Sequence, residues 1–183
     1  MSRENVSLVI DFLSYLTLFA GAFSLLTLLT LLLAHITKMR NSIISQVILF
    51  LRTNALSFVL LFSAVAMLGS LFLSELAEFT PCLLCWYQRV FMYPIAIIAG
   101  IALFRGDKRI FVYILPLAFI GLGIAVYHYL IQMFPGAIQC SDEIASCSAR
   151  QFANFGFITI PFMSMVAFLN IILMSLFGLR GNK

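Results

Sequence analysis

Charged residues divide the chain into long uncharged stretches. Phe12 to Ala34, Thr53 to Ser74, Ile110 to Phe134 and Phe155 to Leu179 run 23, 22, 25 and 25 residues without Asp, Glu, Lys or Arg. A fifth run, Val90 to Phe104, has 15 residues and reaches comparable length only when carried back through Arg89 to Pro81. A bilayer core of about 30 Å needs roughly 20 helical residues, so each run is a candidate membrane span. Barrel strands alternate between two faces. The stretch Leu25-Leu26-Thr27-Leu28-Leu29-Thr30-Leu31-Leu32-Leu33 does not, so the pattern predicts an all-α membrane bundle of five helices. Pro94, Pro116 and Pro161 fall inside spans, as bundled membrane helices tolerate. Between the first two spans, Ile43, Ile44, Val47, Ile48 and Leu51 recur at helical spacing. This segment, Asn41 to Leu51, is either a short helix at the inner membrane surface or the cytosolic end of span two.

Composition agrees. Of 183 residues 63% are apolar and 10% charged. That is too little polar surface for a soluble globule and too hydrophobic for disorder. Four cysteines are too sparse for a disulfide scaffold. The net charge of +4 comes from scattered residues with no dense basic patch, which excludes a nucleic-acid partner.

Sorting charges by loop orients the chain. One set of loops holds Lys38, Arg40, Arg52, Arg105, Lys108, Arg109, Arg180 and Lys183 against a single acid, Asp107. The other holds Arg3, Arg89 and Arg150 against Glu4, Asp11, Glu75, Glu78, Asp142 and Glu143. The positive-inside rule puts the N-terminus outside and the C-terminus in the cytoplasm. Ala20-Gly21-Ala22 mimics a signal cleavage site. The opening residues lack a basic n-region, however, so the first span is expected to be retained.

All four cysteines then fall at the outer face, in two pairs. An oxidising compartment permits disulfides there, so two short-range bonds, Cys82–Cys85 and Cys140–Cys147, are expected. Thr80-Pro81 reads as N-cap and N1 of span three, with Cys82 in the first turn and Cys85 in the second. A helix N-terminus favours a thiolate. A C-x-x-C disulfide closes so short a loop that it stabilises little, and redox chemistry suits it better than a structural clip. Arg89 lies one turn after Cys85 on the same face. Counted from Phe104 at about 1.5 Å per residue, it sits roughly 22 Å up the core. A cation at that depth either snorkels to headgroups or serves a site. It can stabilise a Cys85 thiolate or hydrogen-bond the polar head of an apolar cofactor. Cys140 and Cys147 lie in a polar loop, Pro135 to Asn154, able to meet a soluble partner or to hold a structural disulfide. The four sulfurs resemble a zinc set, but the wide second spacing and the oxidising face disfavour zinc, and no metal is expected.

Cys82-Leu83-Leu84-Cys85-Trp86-Tyr87-Gln88-Arg89 at the outer start of a span, with a second Cys pair in the next outer loop, resembles the DsbB family of disulfide-bond formation proteins. The close second pair resembles its BdbC-type branch. The resemblance covers Thr53 to Leu179. It implies a four-helix core over residues 53–183, with residues 1–52 as an extra span plus a cytoplasmic amphipathic segment. It implies a plasma (inner) membrane enzyme that reoxidises an exported thioredoxin-fold, DsbA-like dithiol oxidase and passes electrons to ubiquinone or menaquinone. By the same resemblance, Cys140 forms the mixed disulfide with the partner, Cys147 exchanges with Cys82, and Cys85 faces the quinone beside Arg89. Thiol exchange alone only moves oxidation between sulfurs. The chain carries no flavin, haem or dinucleotide motif, so a lipid-soluble acceptor fits. Gln88 stands where some members carry an acid. A vitamin K epoxide reductase-like protein would place its C-x-x-C after the other pair; a non-enzymatic scaffold would reduce no quinone.

Other residues read more plainly. Tyr127, Tyr129, Trp86 and Tyr87 are expected as interfacial belt residues, and His128 as a belt residue or a contact to a quinone oxygen. Gly121 and Ala125 suggest close helix packing. The 19 Phe residues suggest lipid-facing bulk, and His35 carries no assigned role.

Overall fold

The structure, a computed structural model, describes residues 3–36, 42–134 and 147–180. Its helices are α1 (Arg3–Ile36), α2 (Ser42–Thr53), α3 (Ala55–Leu71), α4 (Leu83–Arg105), α5 (Phe111–Met133) and α6 (Ile160–Arg180). A π-helical turn, Phe72–Leu76, extends α3, and a 3-10 turn, Lys108–Ile110, joins α4 to α5. Five helices are long and apolar enough to cross a membrane, and the described residues form no strand. The molecule is an all-α, multi-pass membrane bundle.

Helices α3, α4, α5 and α6 pack in a closed ring, each against two neighbours, and α1 and α2 lie against α6. Helix α6 is therefore the central rod: 61% of its spanning window is buried, against 17% for α1. Small residues set the approach distances, as they do where lipid supplies no hydrophobic drive between helices. A Cβ on Gly121 would meet the Phe168 ring at 2.3 Å, and one on Gly178 would meet Phe111 at 2.2 Å. Gly121 and Ala125 thus form the α5 side of the α5–α6 seam. Phe111, Phe168 and Phe177 are fully buried, which corrects the reading of the Phe residues as lipid-facing bulk. Lipid and core are equally apolar, and shape decides which takes the ring.

Helix α1 starts at Arg3, nine residues before the uncharged run begins at Phe12. Its buried face carries Ser14, Thr17, Ser24 and Thr27, whose hydroxyls donate to carbonyls three or four residues back. The polar atoms are satisfied within α1, and the small side chains let it approach α6. Asn170 of α6 donates through Nδ2 to the Ala20 carbonyl, 3.1 Å away. Nearer the start of α1, Asn154 Nδ2 donates to Asp11 Oδ1 at 2.8 Å and Ser14 Oγ at 3.0 Å.

One span boundary differs from that expected. Helix α6 begins at Ile160, not Phe155. Phe155 (φ 52°) and Gly156 (φ 80°) are left-handed, and Asn154 and Ile158 bridge back to back, so the uncharged run includes a tight turn. Of the two readings of the segment before span two, a short separate helix is the one observed: α2, Ser42–Thr53, buries Ile48 and Leu51 against neighbouring helices and meets α3 at Asn54.

A dithiol at the head of an apolar cavity

Helix α4 does not begin at Thr80. Cys82 is its N-cap, extended at φ −74° and ψ 171°, and its carbonyl accepts the Trp86 N–H at 3.1 Å. Thr80 and Pro81 precede the helix, and the Thr80 carbonyl is taken by Gln151 Nε2 at 2.8 Å. Cys85 therefore occupies the third helical position, where backbone N–H groups still lack intrahelical partners.

The Cys82 thiol donates to the Cys85 sulfur, with 3.3 Å between the Sγ atoms. This bond, together with burial, pushes the Cys82 thiol up to about 12, against an opposing influence from His128. His128 is buried on α5 with Nε2 3.7 Å from Cys82 Sγ and 3.1 Å from the Cys147 carbonyl oxygen. Gln88 Nε2 lies 3.0 Å from His128 Nδ1. An amide nitrogen only donates and a carbonyl only accepts, so both partners require the same tautomer, with the proton on Nε2. Sulfur and Nε2 atoms of Cys82, Cys85 and His128 lie within 4.8 Å of one another, a spacing that a metal could use. The proton that Nε2 needs for the Cys147 carbonyl stands where a metal would bind, so this bonding fits a proton-handling role better than ligation.

Arg89 extends from α4 to α3. Its Nε donates to Ser70 Oγ at 2.9 Å and its Nη2 to the Ser70 carbonyl at 3.0 Å. The guanidinium carbon sits 5.2 Å from the centroid of the Trp86 ring, within cation–π range. Among the described residues Nη1 makes no hydrogen bond.

The two sulfurs face different spaces. Cys85 and Arg89 border an apolar cavity of about 430 Å³, bounded by α1, α3, α4 and α6. Cys82 borders a space of about 20 Å³ with His128, Gln132 and Thr159, and Cys85 touches this one too. Arg89, Ser70, Ser74, Gln88 and Gln151 gather the cavity's polar groups at the Cys85 end, Thr17, Tyr93 and Ser164 add single hydroxyls along the wall, and elsewhere it is walled by apolar side chains such as Phe58, Phe62 and Met92. Those residues fit an amphiphile with a hydrogen-bonding head and a greasy tail.

Of the residues expected at the site, Cys82, Cys85 and Arg89 are brought together and Cys147 is buried beside His128. Cys140 lies outside the described residues. His128 is buried and borders the small space beside Cys82 and Cys147, not the large cavity, so it is not an exposed belt residue. Ser70 and Gln151 were not expected at the site, and the bond from Gln88 to His128 was not either. Gln88 carried a signal, as an uncharged polar side chain inside a span; Ser70 carried none.

A family model described as disulfide bond formation protein DsbB matches residues 52–178. The chain is 49% identical over 121 residues to disulfide bond formation protein C of Bacillus subtilis, covering 65% of this chain and 87% of that protein. It is 43% identical over 123 residues to probable disulfide formation protein C 1 of Bacillus anthracis, covering 66% and 88%. A probable disulfide formation protein of Coxiella burnetii is 43% identical over 120 residues, covering 64% and 82%. No solved structure matches.

Proposed function

The chain belongs to the DsbB family of disulfide bond formation proteins, and from that premise we propose that it is a thiol:quinone oxidoreductase of the plasma membrane. It reoxidises an exported thioredoxin-fold, DsbA-like dithiol protein and delivers the electrons to ubiquinone or menaquinone. The observation that carries this reading is the apolar cavity of about 430 Å³ that reaches Cys85 and Arg89. A dithiol turns over as an oxidase only when a further acceptor collects its electrons. A cavity between membrane helices suits an acceptor dissolved in lipid.

Quinone, when bound, accepts two electrons and two protons and becomes quinol. The chain's residues do the rest. Cys82 and Cys85 give up two protons and two electrons as their sulfurs join. Cys85 faces the acceptor; Arg89, held to Ser70, keeps Nη1 for the acceptor's oxygen. Cys147 exchanges with Cys82, a step supported by their shared neighbour His128. Cys140 receives electrons from the partner protein. In each exchange a thiolate attacks one sulfur of a disulfide and releases the other, so no net oxidation occurs until the acceptor. The distribution of loop charges supports an outer N-terminus, outer Cys pairs and a cytoplasmic C-terminus.

The test is quinone reduction by the purified chain in lipid nanodiscs, driven by a reduced exported dithiol oxidase. Turnover is expected, and Cys85→Ser is expected to abolish it. Absence of quinone reduction by the unaltered chain, or normal turnover in Cys85→Ser, overturns the assignment.

A further inference from the structure

We propose that α1 is the tail-binding wall of the acceptor cavity, and that this extra helix decides how strongly the chain holds a long-tailed quinone over a tail-less one. The inference rests on the quinone reading above and adds a helix that lies outside the family-matched residues 52–178.

Three observations converge. Leu13, Leu16, Thr17, Phe19, Ala20 and Phe23 all line the cavity that reaches Cys85. From Leu13 to Phe23 the helix rises about 15 Å, roughly half of a 30 Å membrane core. The wall therefore runs inward from the redox end to the depth that a tail attached to a ring at Arg89 would reach. At the far end Phe23 packs against Phe58 and Phe62 of α3, with ring centroids 5.4 and 5.7 Å apart.

The wall is also fixed in place. Asn154 ties it near its start through Asp11 and Ser14, and Asn170 ties its middle through the Ala20 carbonyl. Leu13 reaches α3 over Gly69, where an added Cβ would lie 3.3 Å from it. Without α1, α3, α4 and α6 would present an open groove to lipid, and acyl chains would compete with a tail on equal terms. A fixed protein wall removes that competition, because a preorganised surface binds without first being ordered. The head contacts, Arg89 and Cys85, belong to α4 and are independent of α1.

Binding is read on the full chain in nanodiscs. Trp86 is the only tryptophan and stacks under Arg89, so quenching of its emission reports quinone at the head of the cavity. The probes are a ubiquinone with a multi-unit isoprenoid tail and the tail-less parent ring. Ala20→Phe and Leu16→Phe fill the cavity from the α1 side; Leu25→Phe, on the lipid-facing side of α1, is the control. Each filling variant is expected to raise the Kd of the long-tailed quinone about tenfold. The tail-less Kd should stay within about twofold, and Leu25→Phe should change neither. A photoreactive group on the tail is expected to label α1 of the unaltered chain, a readout that needs no variant to fold. Equal shifts for both quinones, or no shift together with labelling confined to α3, α4 and α6, overturns the role of α1 while leaving the quinone reading intact. Failure of the unaltered chain to bind either quinone overturns that reading and this inference with it.

Discussion

Gln88 and His128 face each other between α4 and α5, with the amide Nε2 3.0 Å from the ring Nδ1, both buried. This bond fixes which ring nitrogen points at the cysteines. Gln88→Leu leaves Nδ1 without its donor in a dry site, a cost of about 1–3 kcal/mol. The expected result is a matching fall in resistance to denaturant in micelles. His128→Phe removes the Nε2–H that opposes the rise in the Cys82 thiol. Exchange between Cys82 and Cys147 should slow about tenfold in single-turnover quench experiments. Quinone affinity should hold within about twofold, because His128 does not border the large cavity.

Cys82, pushed up to about 12 by its bond to Cys85 and by burial, keeps its proton throughout the neutral range. In the reduced chain its alkylation at pH 8 should be slow and should accelerate only as pH climbs towards that value. Cys85→Ala deletes the largest cause of the rise. Each unit recovered multiplies the thiolate fraction about tenfold below the pKa, so Cys82 alkylation should quicken by about tenfold or more. Mass mapping of iodoacetamide adducts against pH measures both. A slower reaction in Cys85→Ala would contradict the bond as the cause.

Ser70 holds Arg89 by its hydroxyl and its carbonyl. Ser70→Ala removes one of the two. A charge-assisted hydrogen bond contributes about 1.5–3 kcal/mol, and partial loss of orientation should raise the KM for quinone roughly threefold to tenfold. Arg89→Gln loses the cation as well and should raise it further, with the Cys140–Cys147 pair still exchanging with the partner. Steady-state kinetics at varied quinone concentration separates the two variants.

Gly121→Ala places a methyl group against the ring of Phe168, a fully buried side chain with nowhere to move. Overpacking of this kind costs about 1–3 kcal/mol. Thermal unfolding in micelles should fall accordingly, and Phe168→Leu in the same chain should recover part of the loss. Full stability in Gly121→Ala would show that the seam is looser than the contact implies.

What the sequence made legible follows from distance along the chain. Cys82, Cys85 and Arg89 lie within one eight-residue stretch, so helical spacing alone relates them. Gln88 meets His128 across α4 and α5, and Arg89 meets Ser70 across α4 and α3, and no count of spacing gives the rotation of one helix against another. Gly121 announced a close helix contact, but its partner Phe168 and the Gly178–Phe111 pair were hidden, because the surrounding lipid is as apolar as the core. The start of α6 was misplaced because Asn154, Phe155 and Gly156 carry no charge although they turn the chain. Span length also concealed the inward face of α1, although Ser14, Thr17, Ser24 and Thr27 recur on one side of that helix.

Cys82 caps α4 from outside, in extended backbone, while Cys85 is locked into the rod. Closing the gap from 3.3 Å to a sulfur–sulfur bond of about 2.05 Å therefore asks one hinge residue to swing. The long helix keeps its register and Arg89 its anchor. Formation of that bond would be absorbed at a single N-cap position, with the rest of the helix left where it stands.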